Sequence, residues 1–259
     1  MTGRILHKLF VLTLTFLIAL SVWQCLVWII QPKPWLLPSP VHVATRFLEL
    51  IRAGSLQRHT FVTLIEVTSG FALGTATGLF TGYPISQIKL LERWATPYLI
   101  AANSIPIVAF APLLMLWLGT GIQTKITVAA LIVYFPVTMS TMVGFKQVSS
   151  IHRRLMASLH ANKWQLFKMV EVPTAIPGIF AGMKIASPLA VVGAVVGEFM
   201  GSGEGLGHLI MEANGLLDTS MLFVSIIVLS AMGIAFYSIV AGAEALLIGP
   251  WHHERRRRK

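Results

Sequence analysis

Long apolar runs, separated by short polar segments, dominate the pattern of this chain. A helix needs about 20 apolar residues to cross the hydrocarbon core of a bilayer, because each residue adds only about 1.5 Å to its length. The pattern predicts six such helices, near residues 9–30, 62–84, 95–118, 125–145, 179–200 and 220–247. The sequence therefore predicts an all-α membrane protein with about six transmembrane helices, in a single domain over residues 1–259.

One polar stretch has an internal organisation of its own. Residues 145–177 read FKQVSSIHRRLMASLHANKWQLFKMVEVPTAIP, between two long apolar runs. The spacing of its apolar and basic residues predicts two short helices joined by a turn. Since a membrane protein seldom exposes such a structured segment without a partner, we expect the loop over residues 146–177 to be a docking element.

Composition and charge indicate that lipid surrounds most of the chain. Hydrophobic residues make up 55% of the sequence and charged residues 12%, against about 25% charged residues in soluble domains. Five of the basic residues form the tail at 255–259, and most others lie between apolar runs, which is typical of positive-inside membrane proteins rather than of nucleic-acid binding. If both termini are cytoplasmic, fifteen of the 20 lysines and arginines lie on that side, together with the loop 146–177. We therefore expect cytoplasmic termini and no nucleic-acid partner.

Polar and helix-breaking residues near or inside the apolar runs are candidates for a translocation pathway. A charge at the bilayer centre costs about 2.5–3.5 kcal/mol, so Glu66 either faces a cavity or is solvated near the interface. Asn103 and Ser104 precede Pro106, and a proline breaks a membrane helix only where protein or water satisfies the freed carbonyl groups. A lining role and a structural kink both remain open at this point. The candidates for the pathway or gate are Glu66, Asn103, Ser104, Pro106 and Glu198.

Glycines mark two further features. Gly70, Gly74, Gly78 and Gly82 recur at intervals of four in the second run, and on a helix they form a groove that a neighbouring helix can approach closely. The glycine-rich residues 201–207 do not fit the dinucleotide pattern G-x-G-x-x-G after a strand. They predict a gate or a turn after the fifth helix.

Recognisable catalytic motifs are missing from the sequence. It contains no G-x-x-x-x-G-K-[ST] phosphate-binding loop, no H-E-x-x-H and no G-x-S-x-G. The pattern therefore favours a transport body without a cofactor of its own, which draws its energy from another subunit. A stand-alone channel or an ion-coupled secondary carrier remains the alternative, and a membrane anchor that only recruits an ATPase is a third possibility.

Two segments of the polar stretch carry a family resemblance. Residues 158–167 (SLHANKWQLF) and 172–179 (VPTAIPGI) resemble the cytoplasmic coupling loop of ABC-importer permeases, in the branch that serves taurine, alkanesulfonates, nitrate and the pyrimidine precursor of thiamine. Shorter matches of the same kind lie at residues 37–40, 70–71, 106, 111–113, 116–119 and 135–136. The resemblance covers nearly the whole chain.

This resemblance implies a type I importer fold in a bacterial inner membrane and a set of partners. It implies a second copy of the permease, two ATPase subunits that bind ATP and Mg²⁺, and a periplasmic or lipid-anchored substrate-binding protein. The coupling loop would insert into a cleft of the ATPase. The residues of this chain that fall in that loop, as apolar teeth, charged rim or turn, are Arg153, Arg154, Leu155, Met156, Ser158, Leu159, His160, Asn162, Lys163, Trp164 and Phe167.

The sequence departs from the family's pattern at three places. Arg-Leu-Met at residues 154–156 stands where the loop usually begins Glu-Ala-Ala, and His160 stands where the turn usually has glycine. Glu66 stands where sulfonate-type members commonly have arginine. Residues 63–71 and 190–199 look more like the members associated with thiamine-pyrimidine or riboflavin-like uptake, so we expect a cargo of that kind rather than a sulfonate, taurine or nitrate.

Overall fold

The chain folds into α-helices joined by short turns. The computed structural model describes residues 2–33 and 35–256; most of the basic tail, 255–259, lies outside the described residues. The helices, in chain order, are α1 (Thr2–Ile30), α2 (Pro40–Arg52), α3 (Ser55–Gln87), α4 (Lys89–Ser104), α5 (Ile107–Leu118), α6 (Ile122–Lys146), α7 (Ser150–Ser158), α8 (Lys163–Leu166), α9 (Val172–Phe199), α10 (Leu206–Gly215) and α11 (Thr219–Arg256). A wide π-helical turn, Phe167–Glu171, joins α8 to α9 without a break.

Within residues 2–33 and 35–256, five helical stretches are long and apolar enough to cross a membrane, and α4 and α5 make a sixth span if they count as one. The five are Thr13–Ile30, Ser55–Gln87, Ile122–Lys146, Lys163–Phe199 and Thr219–Leu247. This confirms the predicted all-α membrane fold.

The apolar run predicted as a span near 95–118 bends sharply. Helices α4 and α5 meet at 93° across Ile105 and Pro106. Proline has no N–H to continue the helical ladder, and its ring disfavours the helical conformation for the preceding residue. Ile105 accordingly has ψ 127°, in the extended region.

Close contact between α3 and α6 follows from the four glycines of α3. An added Cβ would come closest to Ala129 at Gly70, to Ala130 and Val133 at Gly74, to Val137 at Gly78 and to Thr141 at Gly82. The two helices thus run side by side with the same spacing of four residues, which places one helix in the groove of the other. The predicted glycine groove is confirmed.

A neighbouring face of α6 packs against α9 in the same manner. A Cβ on Gly193 would lie 2.6 Å from the Cα of Ala129, and one on Gly197 would lie 2.8 Å from the Cα of Lys125. Helix α6 is therefore held between α3 and α9 with backbones almost in contact. We call α3, α6 and α9 the three-helix core.

Helices α2 and α10 cover one end of this core, and α11 packs along α9. Ser39 caps α2, where its hydroxyl accepts a hydrogen bond from the backbone N–H of His42 at 3.3 Å. Val43 and Leu50 of α2 are buried. The Arg46 guanidinium lies 2.8 Å from a carboxylate oxygen of Asp218, just before α11, and fixes α2 against that helix.

Candidate functional site

Residues 150–166 lie within the loop 146–177 that the sequence predicts to be a docking element, and we call them the elbow. The elbow consists of α7, a tight turn and α8. His160 makes the turn with φ +53°, the left-handed conformation that favours glycine. The side chain of Asn162 then accepts a hydrogen bond from the N–H of Gln165, and Asn162 N–H donates to the Gln165 side chain, both at 2.8 Å. This reciprocal capping box starts α8 immediately after the turn.

The second helix of the elbow differs from the prediction, because it is the first turn of a much longer helix. The chain stays helical from Lys163 to Phe199. Within the wide turn, the N–H of Val172 donates to the carbonyl of Phe167, five residues back. The next residue, Pro173, has no N–H, so the hydrogen-bond ladder shifts at this point instead of ending.

The outer face of the elbow carries a stripe of exposed apolar side chains. Ile151, Leu155 and Leu159 follow one another at intervals of four, and the exposed Trp164 comes after the turn. Their exposed fractions are 74%, 54%, 67% and 66%. We call these four residues the apolar stripe. The sequence prediction named Leu155, Leu159 and Trp164 and missed Ile151, although its spacing of four from Leu155 was a visible signal.

Two residues predicted for the elbow's docking surface instead face the body of the protein. The guanidinium of Arg153 lies 3.1 Å from Glu171 Oε1 and donates to Gln87 Oε1 at 3.3 Å. The ring of Phe167 packs on those of Tyr83 and Phe145, with centroids 5.1 and 6.3 Å away. Both residues attach the elbow to the ends of α3 and α6.

The other predicted elbow residues stay near the surface. Met156 is half-buried. The exposed ones, which make this face of the elbow basic and polar, are Arg154, Ser158, His160, Asn162 and Lys163.

At the opposite end of the three-helix core, the structure buries Glu66, Glu198 and a lysine that pairs with Glu66. Glu66 is 0% exposed, Glu198 1% and Lys125 7%. The ammonium of Lys125 lies 3.1 Å from Glu66 Oε1 and donates to the Ser202 hydroxyl at 2.5 Å. Lys125 was not among the predicted site residues, because its pairing depends on how three separate helices pack.

Glu198 also fixes the glycine-rich turn at residues 201–207. One carboxylate oxygen accepts a hydrogen bond from the Thr63 hydroxyl at 2.6 Å, and the other accepts one from the N–H of Gly207. The N–H of Gly205 donates to His59 Nδ1 at 2.9 Å. Gly205 has φ +112°, and a side chain there would overlap the carboxylate of Glu198. The segment is therefore a turn tied to α3 and α9.

The remaining predicted pathway residues lie elsewhere. Asn103, Ser104 and Pro106 are exposed at the bend between α4 and α5. The five pathway candidates thus form two groups, a buried pair inside the core and an exposed set at a helix break. Within the single chain, the buried pair lines no open surface.

Comparison with known proteins agrees with this architecture. The model of the family described as "Binding-protein-dependent transport system inner membrane component" matches residues 74–248, more than half of the chain. The riboflavin transport system permease protein RibX of Chloroflexus aurantiacus is 39% identical over 92% of this chain and 88% of its own length. The formylaminopyrimidine transport permease protein ThiX of Halalkalibacterium halodurans is 33% identical over 94% of this chain and 96% of its own length.

A solved structure shows the same fold at low sequence identity. The crystal structure of an amino acid ABC transporter with histidines matches with a TM-score of 0.56 and 16% identity, over 79% of this chain and 95% of that chain. The named relatives are transport permeases rather than enzymes. The chain therefore belongs to the family of binding-protein-dependent transport system inner membrane components, the permeases of ABC transporters.

Proposed function

We propose that this chain is the permease subunit of an ABC importer in the bacterial inner membrane, driven by ATPase subunits that bind its elbow. The apolar stripe is the observation that carries the proposal. Burying a large apolar side chain gains about 1.5–3 kcal/mol, so four such side chains on a short polar segment form a strong protein-binding surface. Tryptophan is enriched among residues that dominate binding energy at interfaces.

The geometry of the elbow suits insertion into a cleft. Its turn projects Leu159 and His160 from the rest of the molecule, while Arg154 and Lys163 flank the apolar stripe. An apolar centre with a charged rim is the usual arrangement of protein interfaces. The motor itself, with ATP and Mg²⁺, belongs to the partner subunit.

The remaining parts of the proposal concern the assembly around the elbow. Two copies of the permease enclose the pathway, with the exposed α4–α5 bend, including Asn103 and Ser104, at the boundary between them. Both termini and the elbow face the cytoplasm, because this orientation places most basic residues inside. A binding protein delivers the solute to the opposite face.

The cargo we propose is a small heterocyclic solute, of the thiamine-pyrimidine or riboflavin type. The permeases named for riboflavin and formylaminopyrimidine are 39% and 33% identical to this chain, and the taurine permease TauC of Escherichia coli is 26% identical. Glu66, which differs from the arginine typical of sulfonate-type members, supports the same choice.

The test is affinity purification of the permease from native membranes, followed by measurement of the co-purified ATPase. Trp164→Ala should weaken ATPase retention by about tenfold or more, which corresponds to about 1.4 kcal/mol. Trp117→Ala is the matched control, because Trp117 is 67% exposed against 66% for Trp164 and lies at the end of α5. Its retention should equal that of the wild type.

Reconstituted vesicles separate the alternatives. Uptake of riboflavin or formylaminopyrimidine that needs the ATPase and ATP supports the importer. Uptake that proceeds without any ATPase would instead establish a stand-alone channel or carrier. A permease that retains an ATPase but moves no solute with any recovered binding protein would be an anchor.

A further inference from the structure

A second set of residues, different from those of the apolar stripe, links the elbow to the three-helix core. The two sets meet where the rings of Trp164 and Phe167 stack, with centroids 5.5 Å apart. The second set comprises Arg153 of α7, Glu171 of the wide turn, Tyr83 and Gln87 of α3, Phe145 of α6 and Phe167. We call this set the joint. Glu171 at its centre is 4% exposed.

Glu171 connects three elements through one carboxylate. Its Oε1 lies 3.1 Å from the guanidinium of Arg153, on the docking helix. Its Oε2 accepts a hydrogen bond from the hydroxyl of Tyr83 at 3.4 Å, near the end of α3. Arg153 also donates to Gln87, one turn further along α3. Helix α7 is therefore bonded directly to α3, and through Glu171 to the wide turn that precedes α9.

Aromatic rings surround this polar contact. The ring of Tyr83 lies 4.8 Å from that of Phe145 and 5.1 Å from that of Phe167, in edge-to-face arrangements. Such packing sets the distance between elements but allows them to slide, whereas an ion pair with hydrogen bonds fixes their relative angle. The direction of any movement that enters through α7 is thus determined by Arg153 and Glu171.

The wide turn is the reason why the elbow needs a bonded contact with the core. π-Helical turns interrupt the regular ladder and frequently occur at functional sites. The turn Phe167–Glu171 lies between the elbow and α9, where a force on the elbow would otherwise bend the chain locally. With Arg153 bound to Glu171, the elbow and the core are held across that weak point.

We infer that the Arg153–Glu171 pair transmits the movement of a bound ATPase to the three-helix core, and that it does so as a positioning pair behind the docking surface. This inference rests on the proposed function. The two sets of residues then have different roles. The apolar stripe binds the ATPase, and the joint converts that binding into movement of α3 and α9.

The experiment uses the full complex and a reporter that needs no knowledge of the solute. Cys25 is the single cysteine of the sequence, so a Cys25→Ser background carrying Ser104→Cys gives one thiol at the α4–α5 bend. The rate of maleimide labelling is measured without nucleotide and with ATP, Mg²⁺ and vanadate. In the otherwise wild-type complex, trapping by nucleotide should change this rate by about fivefold or more.

Arg153→Gln and Glu171→Gln should abolish this response while ATPase retention stays within about twofold of the wild type. Arg153→Gln leaves the buried Glu171 carboxylate without its cation, whereas the Arg153 side chain left by Glu171→Gln is 40% exposed. The double variant Arg153→Gln/Glu171→Gln is included because it carries neither charge. Arg93→Gln is the control, since Arg93 is an exposed arginine of α4 on the same side of the molecule. Its response should match that of the wild type.

The outcomes are distinguishable. An intact labelling response in the double variant overturns the inference. A double variant that no longer assembles, or that loses both ATPase retention and the labelling response, also overturns it. In that case the pair would serve only to fold the elbow. A complex that retains the ATPase but shows no response before substitution also overturns it. Failure of the unsubstituted permease to retain any ATPase contradicts the proposed function instead.

Discussion

The packing of α3 against α6 can be tested at a single glycine. At Gly74, an added Cβ would lie 2.5 Å from the carbonyl oxygen of Ala130 and 2.8 Å from the Cβ of Val133. Ordinary contact for such atoms begins near 3.4 Å. Gly74→Ala therefore requires the two backbones to separate by about 0.9 Å, since a carbonyl oxygen in a helix cannot rotate away. We expect the variant to destabilise the three-helix core.

The magnitude follows from two opposing effects. Overfilling a packed interior costs about 1–3 kcal/mol, and a backbone obstacle favours the upper part of that range. Replacing glycine by alanine within a helix gains about 1 kcal/mol in helix propensity. Gly242→Ala isolates the second effect, because Gly242 lies within α11 and an added Cβ there meets no atom within 4 Å. The difference in the free energy of unfolding between the two variants is then the packing cost alone. Gly242→Ala should be the more stable variant by about 1–3 kcal/mol.

The assay is thermal unfolding of the purified permease in one detergent, followed by circular dichroism. Each kcal/mol corresponds to roughly 2–4 °C for a chain of this size, so the two melting temperatures should differ by several degrees. Gly78→Ala should fall between them, because its closest obstacle is a side-chain carbon of Val137 at 3.0 Å. Equal melting temperatures for Gly74→Ala and Gly242→Ala would refute the close approach of the two helices.

Other predictions concern the buried charges and the two turns. Lys125→Met should destabilise the permease by about 3–5 kcal/mol, since it leaves Glu66 buried without its cation. Adding Glu66→Gln should restore much of the melting temperature, and a double variant that melts no higher than Lys125→Met would contradict the pairing. His160→Gly should stabilise the elbow by up to about 1 kcal/mol, seen as slower amide hydrogen exchange, because it removes the left-handed strain at φ +53°. Gly205→Ala should release the turn at 201–207 by displacing the Glu198 carboxylate, and unchanged protease resistance of that turn would argue against this.

The local features of this fold were predictable from the sequence. Apolar runs of about 20 residues predict membrane helices because the bilayer fixes the length. Glycines at intervals of four predict a close helix contact because that spacing keeps them on one face of a helix. The capping residues Ser39 and Asn162 likewise mark helix starts by their own hydrogen bonds. Each of these features depends only on residues within a few turns of one another.

The features that could not be predicted depend on packing between distant residues. Glu66 and Glu198 are 132 positions apart, and Lys125, the ion-pair partner of Glu66, belongs to a third helix. Phe167 and Arg153 were expected to face a partner, but residues of distant elements hold both against the body of the protein. Phe167 packs on Tyr83 and Phe145, and Arg153 pairs with Glu171 and Gln87.

The structure also constrains where movement can arise during transport. Gly74 and Gly193 hold α6 against both neighbours with almost no free space, and Lys125 bonds α3 to the turn that follows α9. A well-packed interior does not deform continuously, so the three-helix core is expected to move as one body. The bend between α4 and α5 and the wide turn at Phe167–Glu171 lie outside these contacts. An ATPase that acts on the elbow is therefore expected to rotate the core as a unit and to change the pathway at its borders, not between α3 and α6.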